Sequence, residues 1–120
     1  MLQTEKQALS AFKKAIETNP DDHKAWKYMG DSLKLLKKYK EAISAYDKAI
    51  KLKPDDHEAW VKKGYVFHNL GEFVKATEAF NKALKLKPDY EKALIALLHC
   101  YNSGYRFSYY PPESIQLKKI

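Results

Sequence analysis

The sequence holds one cysteine, one arginine and four glycines in 120 residues. With Cys100 alone, no disulfide can close within the chain and no cysteine cluster can hold a metal. No apolar stretch approaches the about 20 residues that span a bilayer, and MLQTEKQALSAF lacks the apolar core of a signal peptide. A cytoplasmic protein without a membrane segment is the expectation. Arg106 aside, the net charge of +7 is carried by lysine, a hydrated point charge without arginine's planar fork. That surplus favours acidic partners but argues poorly for base recognition. Few glycines and few β-branched residues, beside much Leu, Ala and Lys, favour helix.

What the chain does have is a period. AIETNPDDHKAW (15–26), AIKLKPDDHEAW (49–60) and ALKLKPDYEKAL (83–94) follow one another at a constant interval, and Pro20, Pro54 and Pro88 keep it. Apolar residues recur at helical spacing over about 3–18, 23–36, 40–53, 57–70, 74–87 and 91–103. In 40–53, Ala42, Ile43, Tyr46, Ala49 and Ile50 form one stripe, and Lys40, Ser44, Asp47 and Lys51 face away. Pro54 cannot continue that helix, and Asp55 or Asp56 can cap the next one. Each proline segment is therefore a stop followed by a start. The two helices of each period cannot bury their stripes alone, so neighbouring pairs must stack. Trp26 and Trp60 are the large knobs, and Gly30 and Gly64 mark close approach.

These positions resemble the tetratricopeptide repeat family, whose units show Trp, Leu-Gly, Tyr, Ala, Phe, Ala and Pro at fixed offsets. Residues 23–56 supply Trp26, Met29-Gly30, Leu33, Ala42, Tyr46, Ala49 and Pro54; residues 57–90 supply Trp60, Lys63-Gly64, Phe67, Ala76, Phe80, Ala83 and Pro88. Lys63 departs from Leu, with a stem that can still lie over apolar surface. The resemblance implies an all-α helix-turn-helix solenoid, a right-handed superhelix of about six helices, in one domain. Its parts would be a second-helix half repeat (1–22), repeats at 23–56 and 57–90, a first-helix half repeat (91–104) and an aromatic, proline-containing tail (105–120). In the last helix Leu98 stands where a small residue belongs.

The resemblance also implies a function: binding a partner peptide or helix along a concave face lined by first helices. By position that face holds Lys27, Tyr28, Asp31 and Lys34, then Lys62, Tyr65, His68 and Asn69, then His99 and Asn102. The expected partner is acidic, attracted by Lys27, Lys34 and Lys62, and Lys27→Glu with Lys62→Glu should weaken it without unfolding the domain. A chaperone carboxylate clamp is excluded, because Asp31, Lys62 and Ile95 with His99 replace its residues and Asp31 would repel the carboxylate. No catalytic constellation is visible, so no enzyme and no cofactor are expected. The four histidines offer no three-ligand metal set, and Asp55-Asp56 is explained by capping. RNA binding through Tyr28, Tyr65, Lys34 and Lys62 is disfavoured by the lack of arginine and by Asp31 and Glu58 on the same side. The alternative class is structural: half repeats at the ends would complete one another between chains, giving a homo-oligomer. The tail YNSGYRFSYYPP, with five aromatics, is expected to fold over the last helix or to serve as a recognition arm.

Overall fold

The computed structural model describes residues 2–103. They form six helices: α1 Leu2–Thr18, α2 His23–Leu35, α3 Tyr39–Leu52, α4 His57–Asn69, α5 Phe73–Leu86 and α6 Glu91–Ser103. The expected all-α repeat solenoid is what the chain builds. Of the tail expected as a lid or recognition arm, residues 101–103 end α6 and the rest lies outside the described residues.

Each boundary has a local cause. Asp22 and Asp56 sit in extended backbone and cap α2 and α4; each side chain accepts from two of the free N–H groups of the first turn. The helices of each pair are joined by a left-handed residue, Lys37 at φ 63° and Gly71 at φ 75°. Around it Lys38 N donates to Leu33 O and Lys37 N to Lys34 O, a pattern repeated by Glu72 to Phe67 and Gly71 to His68. This double bond closes the helix end and reverses the chain. At the proline stops the indole N–H of Trp26 donates to Pro20 O (2.9 Å) and that of Trp60 to Pro54 O (3.4 Å). The repeated Trp and Pro are thus directly coupled, and the Trp pins the turn to the helix that follows it.

Successive helices pack in antiparallel pairs, and the first helices also touch one another, α2 to α4 and α4 to α6. Among the described residues the second helices show no comparable contact, so the stack closes towards the α2–α4–α6 side. Two clusters form the core. Tyr46 with Leu33, Ala42 and Val66 builds one; Phe80 with Val61, Ala83, Leu97 and Cys100 builds the other. The glycines set the depth of each. A Cβ on Gly30 would lie 2.5–2.9 Å from three carbons of the Tyr46 ring, and one on Gly64 under 3.0 Å from three carbons of Phe80. Cys100 is fully buried, which pushes its thiol up to about 11. No described helix is long and apolar enough to cross a membrane.

Candidate peptide-binding face

The first helices present their side chains to the inner side through a simple offset. Residues that meet between α2 and α4 are 31 apart, one helical turn short of the repeat period. Lys27 meets Glu58, Asp31 meets Lys62, and Lys34 lies over Tyr65.

The first of these contacts corrects an expectation. Lys27, expected to attract a partner, is only 8% exposed and its ammonium is already taken. Nζ sits 2.9 Å from Asp56 Oδ2 and 3.4 Å from Glu58 Oε1. Burial alone would lower the lysine's pKa; the hydrogen bond and charge of Asp56, helped by Glu58, outweigh it and raise it. Asp56 responds in the opposite sense. Burial would raise its carboxyl, but the Lys27 hydrogen bond and charge, with the N–H groups of Ala59 and Glu58, hold it below its ordinary range. Glutamate at position 27 would therefore face Asp56 and Glu58 in a dry corner. The expectation that Lys27→Glu leaves the fold intact does not survive this geometry.

Asp31 is also engaged. Its Oδ1 accepts from the Tyr46 hydroxyl at 2.6 Å, and both oxygens lie 3.1 Å from Lys62 Nζ. Burial, reinforced by Asp31, pushes the Tyr46 hydroxyl far above its usual range. Lys62 is thus half committed, its side chain still 26% exposed.

Lys34 is different. Its ammonium lies 5.1 Å from the centre of the Tyr65 ring, partly buried, and among the described residues it has no carboxylate within ion-pair distance. Burial lowers its pKa, Asp31 partly restores it, and Lys62 lowers it again. Tyr65 is itself edge-on to Phe80 (5.5 Å between centres), and burial raises its phenol.

The remaining residues spread along the same side. His68 packs edge-on to Phe73 at 5.2 Å, and its buried Nε2 has no hydrogen-bond partner among the described residues. Burial, then the charge of His99 across the α4–α6 contact, lowers its pKa. Asn69, His99 and Asn102 are exposed. Tyr28 is 44% exposed, but its ring turns to Phe12 of α1, 5.9 Å away, so it makes no continuous row with Tyr65.

Sequence reasoning missed the second duty of Asp56 and the reach of Tyr46 to Asp31. A signal for pairing between the two repeats was available, since opposite charges recur at a separation of 31 in 27/58 and 31/62, but it does not point to Asp56, which lies 29 residues from Lys27. Outside this face, Lys63 covers the ring of Trp60 at 5.2 Å and pairs with Asp47 at 2.7 Å, so the departure from Leu is accommodated by an apolar stem and a wet head.

Comparison with known proteins agrees with this architecture. Family models described as "TPR repeat" and "Tetratricopeptide repeat" match residues 30–71, 57–90 and 11–44. None of these is a catalytic family. No curated protein sequence matches the chain. Among solved structures, one of the MamA protein is 26% identical with a TM-score of 0.82, covering 96% of this chain and 61% of that one. YrrB, "a TPR protein with an unusual peptide-binding site", is 28% identical with a TM-score of 0.75, covering 79% and 49%. The first TPR of Spaghetti (RPAP3), solved with an HSP90 peptide, shares the fold at 19% identity, with a TM-score of 0.80 over 84% of this chain and 80% of that one. The chain thus spans less than two thirds of the length of the MamA and YrrB structures. On its repeats, its packing and these matches together, the chain belongs to the tetratricopeptide repeat family.

Proposed function

We propose that this chain is a protein-interaction scaffold whose inner face binds an extended, acidic segment of a partner protein. One observation carries the reading: Lys34 is a partly desolvated cation held on an aromatic ring, with no carboxylate within ion-pair distance among the described residues. A partner carboxylate there would shift the lysine back towards its ordinary pKa and complete a charge that the described residues leave open. Lys62 stands next to it, sharing Asp31. Tyr65 offers an apolar floor, and the exposed Asn69, His99 and Asn102 can hydrogen-bond a peptide backbone. Rigid helices hold these groups in place, so little ordering is needed on the receptor side. YrrB, with its unusual peptide-binding site, gives a related precedent.

The test is an array of randomised peptides graded in Asp and Glu content, probed with the intact chain at two salt concentrations. Acid-rich peptides should bind best and weaken with salt, and Lys34→Glu should reduce their affinity about tenfold or more, the equivalent of about 1.4 kcal/mol. Lys27→Met should leave binding unchanged. Binding indifferent to acidic content, or untouched by Lys34→Glu, would refute the proposal.

A further inference from the structure

Lys63 stands where the repeat calls for leucine, and the groove between α4 and α5 shows what that change does. In the preceding repeat the same position is Met29. There Met29 and Trp26 pack against an apolar cluster that holds Leu9 of α1 with Leu33 and Ala45. One repeat on, the counterparts of Trp26, Leu33 and Ala45 are Trp60, Phe67 and Ala79. These three line an open cavity of about 460 Å³. That volume falls in the range of small-molecule sites, about 300–1,000 Å³.

The rim of the cavity is cationic. Lys63, Lys75 and Lys82 line it together with Glu78, three ammoniums to one carboxylate. Lys63 Nζ lies 5.2 Å from the centre of the Trp60 ring and 5.8 Å from that of Phe67. Lys75 stands 5.8 Å from Phe67, and Lys82 6.0 Å from Trp60. Each ring therefore carries two ammoniums at cation–π distance. The carboxylates that meet them are wet: Asp47 for Lys63, its side chain 51% exposed, and Glu72 for Lys75, in an exposed pair within one helical turn. Exposed pairs of this kind contribute little. Among the described residues Lys82 has no carboxylate within ion-pair distance, and Glu78 pairs with none of the three lysines. Like charges gathered over one apolar floor repel one another, and an anion placed among them relieves that repulsion. The first repeat gathers no such charge. At the places of Lys63, Lys75 and Lys82 it has Met29, Glu41 and Lys48.

We propose that the α4–α5 groove is a binding site for a small organic anion, a flat apolar ring system bearing a carboxylate. The ring system lies against Trp60, Phe67 and Ala79, and the carboxylate is held by Lys63, Lys75 and Lys82. An inorganic anion would leave both aromatic rings unused, and a neutral ring would leave the ammoniums unpaired. Lysine suits the task, because an ammonium on a flexible stem can follow a small anion without arginine's fixed fork. The site is separate from the inner face: Lys62 turns to Asp31 of α2, whereas Lys63 turns to Asp47 of α3.

The test is a titration of the isotope-labelled intact chain, followed by NMR through the indole N–H signals of Trp26 and Trp60. The probes are naphthoate, the cation of matched shape naphthylmethylammonium, and acetate. Naphthoate should move the Trp60 signal saturably, bind at least about tenfold tighter than either other probe, and leave the Trp26 signal in place. Lys63→Met, which restores the residue of the preceding repeat, should weaken naphthoate about threefold to tenfold. Lys82→Gln should do the same from an exposed position, so the test survives if Lys63→Met disturbs packing. Glu78→Gln should tighten binding, and Lys24→Gln, an exposed lysine of α2, should leave it unchanged. Equal movement of both indole signals, equal binding of the cation, or affinity untouched by Lys63→Met and Lys82→Gln would overturn the proposal. So would an equal loss in Lys24→Gln and Lys82→Gln, which would reduce the effect to net charge.

Discussion

Asp56 serves two structures with its two oxygens, and this makes the cost of breaking it unequal to the cost of breaking its partner. Oδ1 accepts from the N–H groups of Glu58 and Ala59 at 3.1 and 3.3 Å, capping α4; Oδ2 holds Lys27 at 2.9 Å. Asp56→Ala removes a cap, about 1 kcal/mol. It also strands an ammonium whose side chain is one-tenth exposed. Removing one partner of a fully buried pair costs about 3–5 kcal/mol. Here Glu58, 3.4 Å away and half exposed, still faces the lysine, which brings that part to about 1–2 kcal/mol. The sum is about 2–3 kcal/mol. Lys27→Met leaves the Asp56 carboxylate with both backbone donors, and the repeat itself shows an apolar residue is tolerated: Val61, at the same place one repeat on, is buried in the core. That change should cost less than about 1 kcal/mol. Urea unfolding followed by circular dichroism measures both, and Asp56→Asn, which retains the cap, completes a double-mutant cycle with a coupling of about 1 kcal/mol. The pH dependence has a defined sign. Because the Asp56 carboxyl is depressed in the fold, its contribution is present above the ordinary value of 3.8 and is lost as pH falls through the folded value. Because Lys27 is raised, its contribution is complete below 10.5 and is lost as pH rises through its folded value. Lys27→Met should flatten both limbs. If Lys27→Met proves as costly as Asp56→Ala, the pair and not the cap dominates, and the reasoning fails.

Gly64→Ala should destabilise, although alanine is the better helix former by about 1 kcal/mol. The new Cβ lies under 3.0 Å from three carbons of a Phe80 ring with no exposed surface, so an overpacking cost of about 3 kcal/mol wins and Tm falls by about 5–10 °C; an unchanged Tm would mean the ring has room to retreat. Lys37→Gly should do the reverse. Lys37 holds φ 63°, the left-handed region that Gly71 fills in the next repeat, and relieving that strain should raise stability by about 0.5–1 kcal/mol in the same urea assay; a loss would show that the Lys37 side chain contributes something else.

The fold is legible because it is written more than once. A single proline or tryptophan says little, but Pro20, Pro54 and Pro88 in register fix where helices stop, and the helix limits agree with the spacing to within a residue. The face is legible only in part. A repeat pattern names the inward positions of one helix, such as Lys27, Asp31 and Lys34, but says nothing of how far the next helix is displaced along its axis. That displacement brings Glu58 rather than Val61 to Lys27 and Tyr65 rather than His68 to Lys34. A shift of one turn decides which lysine meets a carboxylate of the next helix, as Lys27 does, and which meets an aromatic ring, as Lys34 does. Local spacing identifies Asp56 as a cap, correctly, but is blind to the use of its second oxygen. It identifies Tyr46 as core, correctly, yet the hydroxyl reaches through the α2–α3 contact to Asp31.

The joints between repeats are not equivalent, and this bears on which residues remain for recognition. Between α2 and α4 the joint is ionic, Lys27 with Asp56. Between α4 and α6 the same two positions are Val61 and Tyr90, both in one apolar cluster, with His57 edge-on to the Tyr90 ring at 4.7 Å. The two members have changed together. A stack that skipped a repeat would set Lys27 against Tyr90 and leave Asp56 without its lysine, stranding each charge. The paired charges therefore specify the order of the repeats rather than the identity of a ligand. Asp31 and Lys62 lie on that same ionic joint and share in its task. On the proposed reading, recognition falls to Lys34, which lies over Tyr65 across the same joint but has no carboxylate within ion-pair distance among the described residues, with Asn69, His99 and Asn102 further along, all towards the C-terminal ends of the first helices. A partner would meet a partly desolvated cation at one side of this region and hydrogen-bonding side chains at the other. If the proposed function holds, such a surface suits an extended acidic segment better than a helix, whose backbone groups are already bonded to one another.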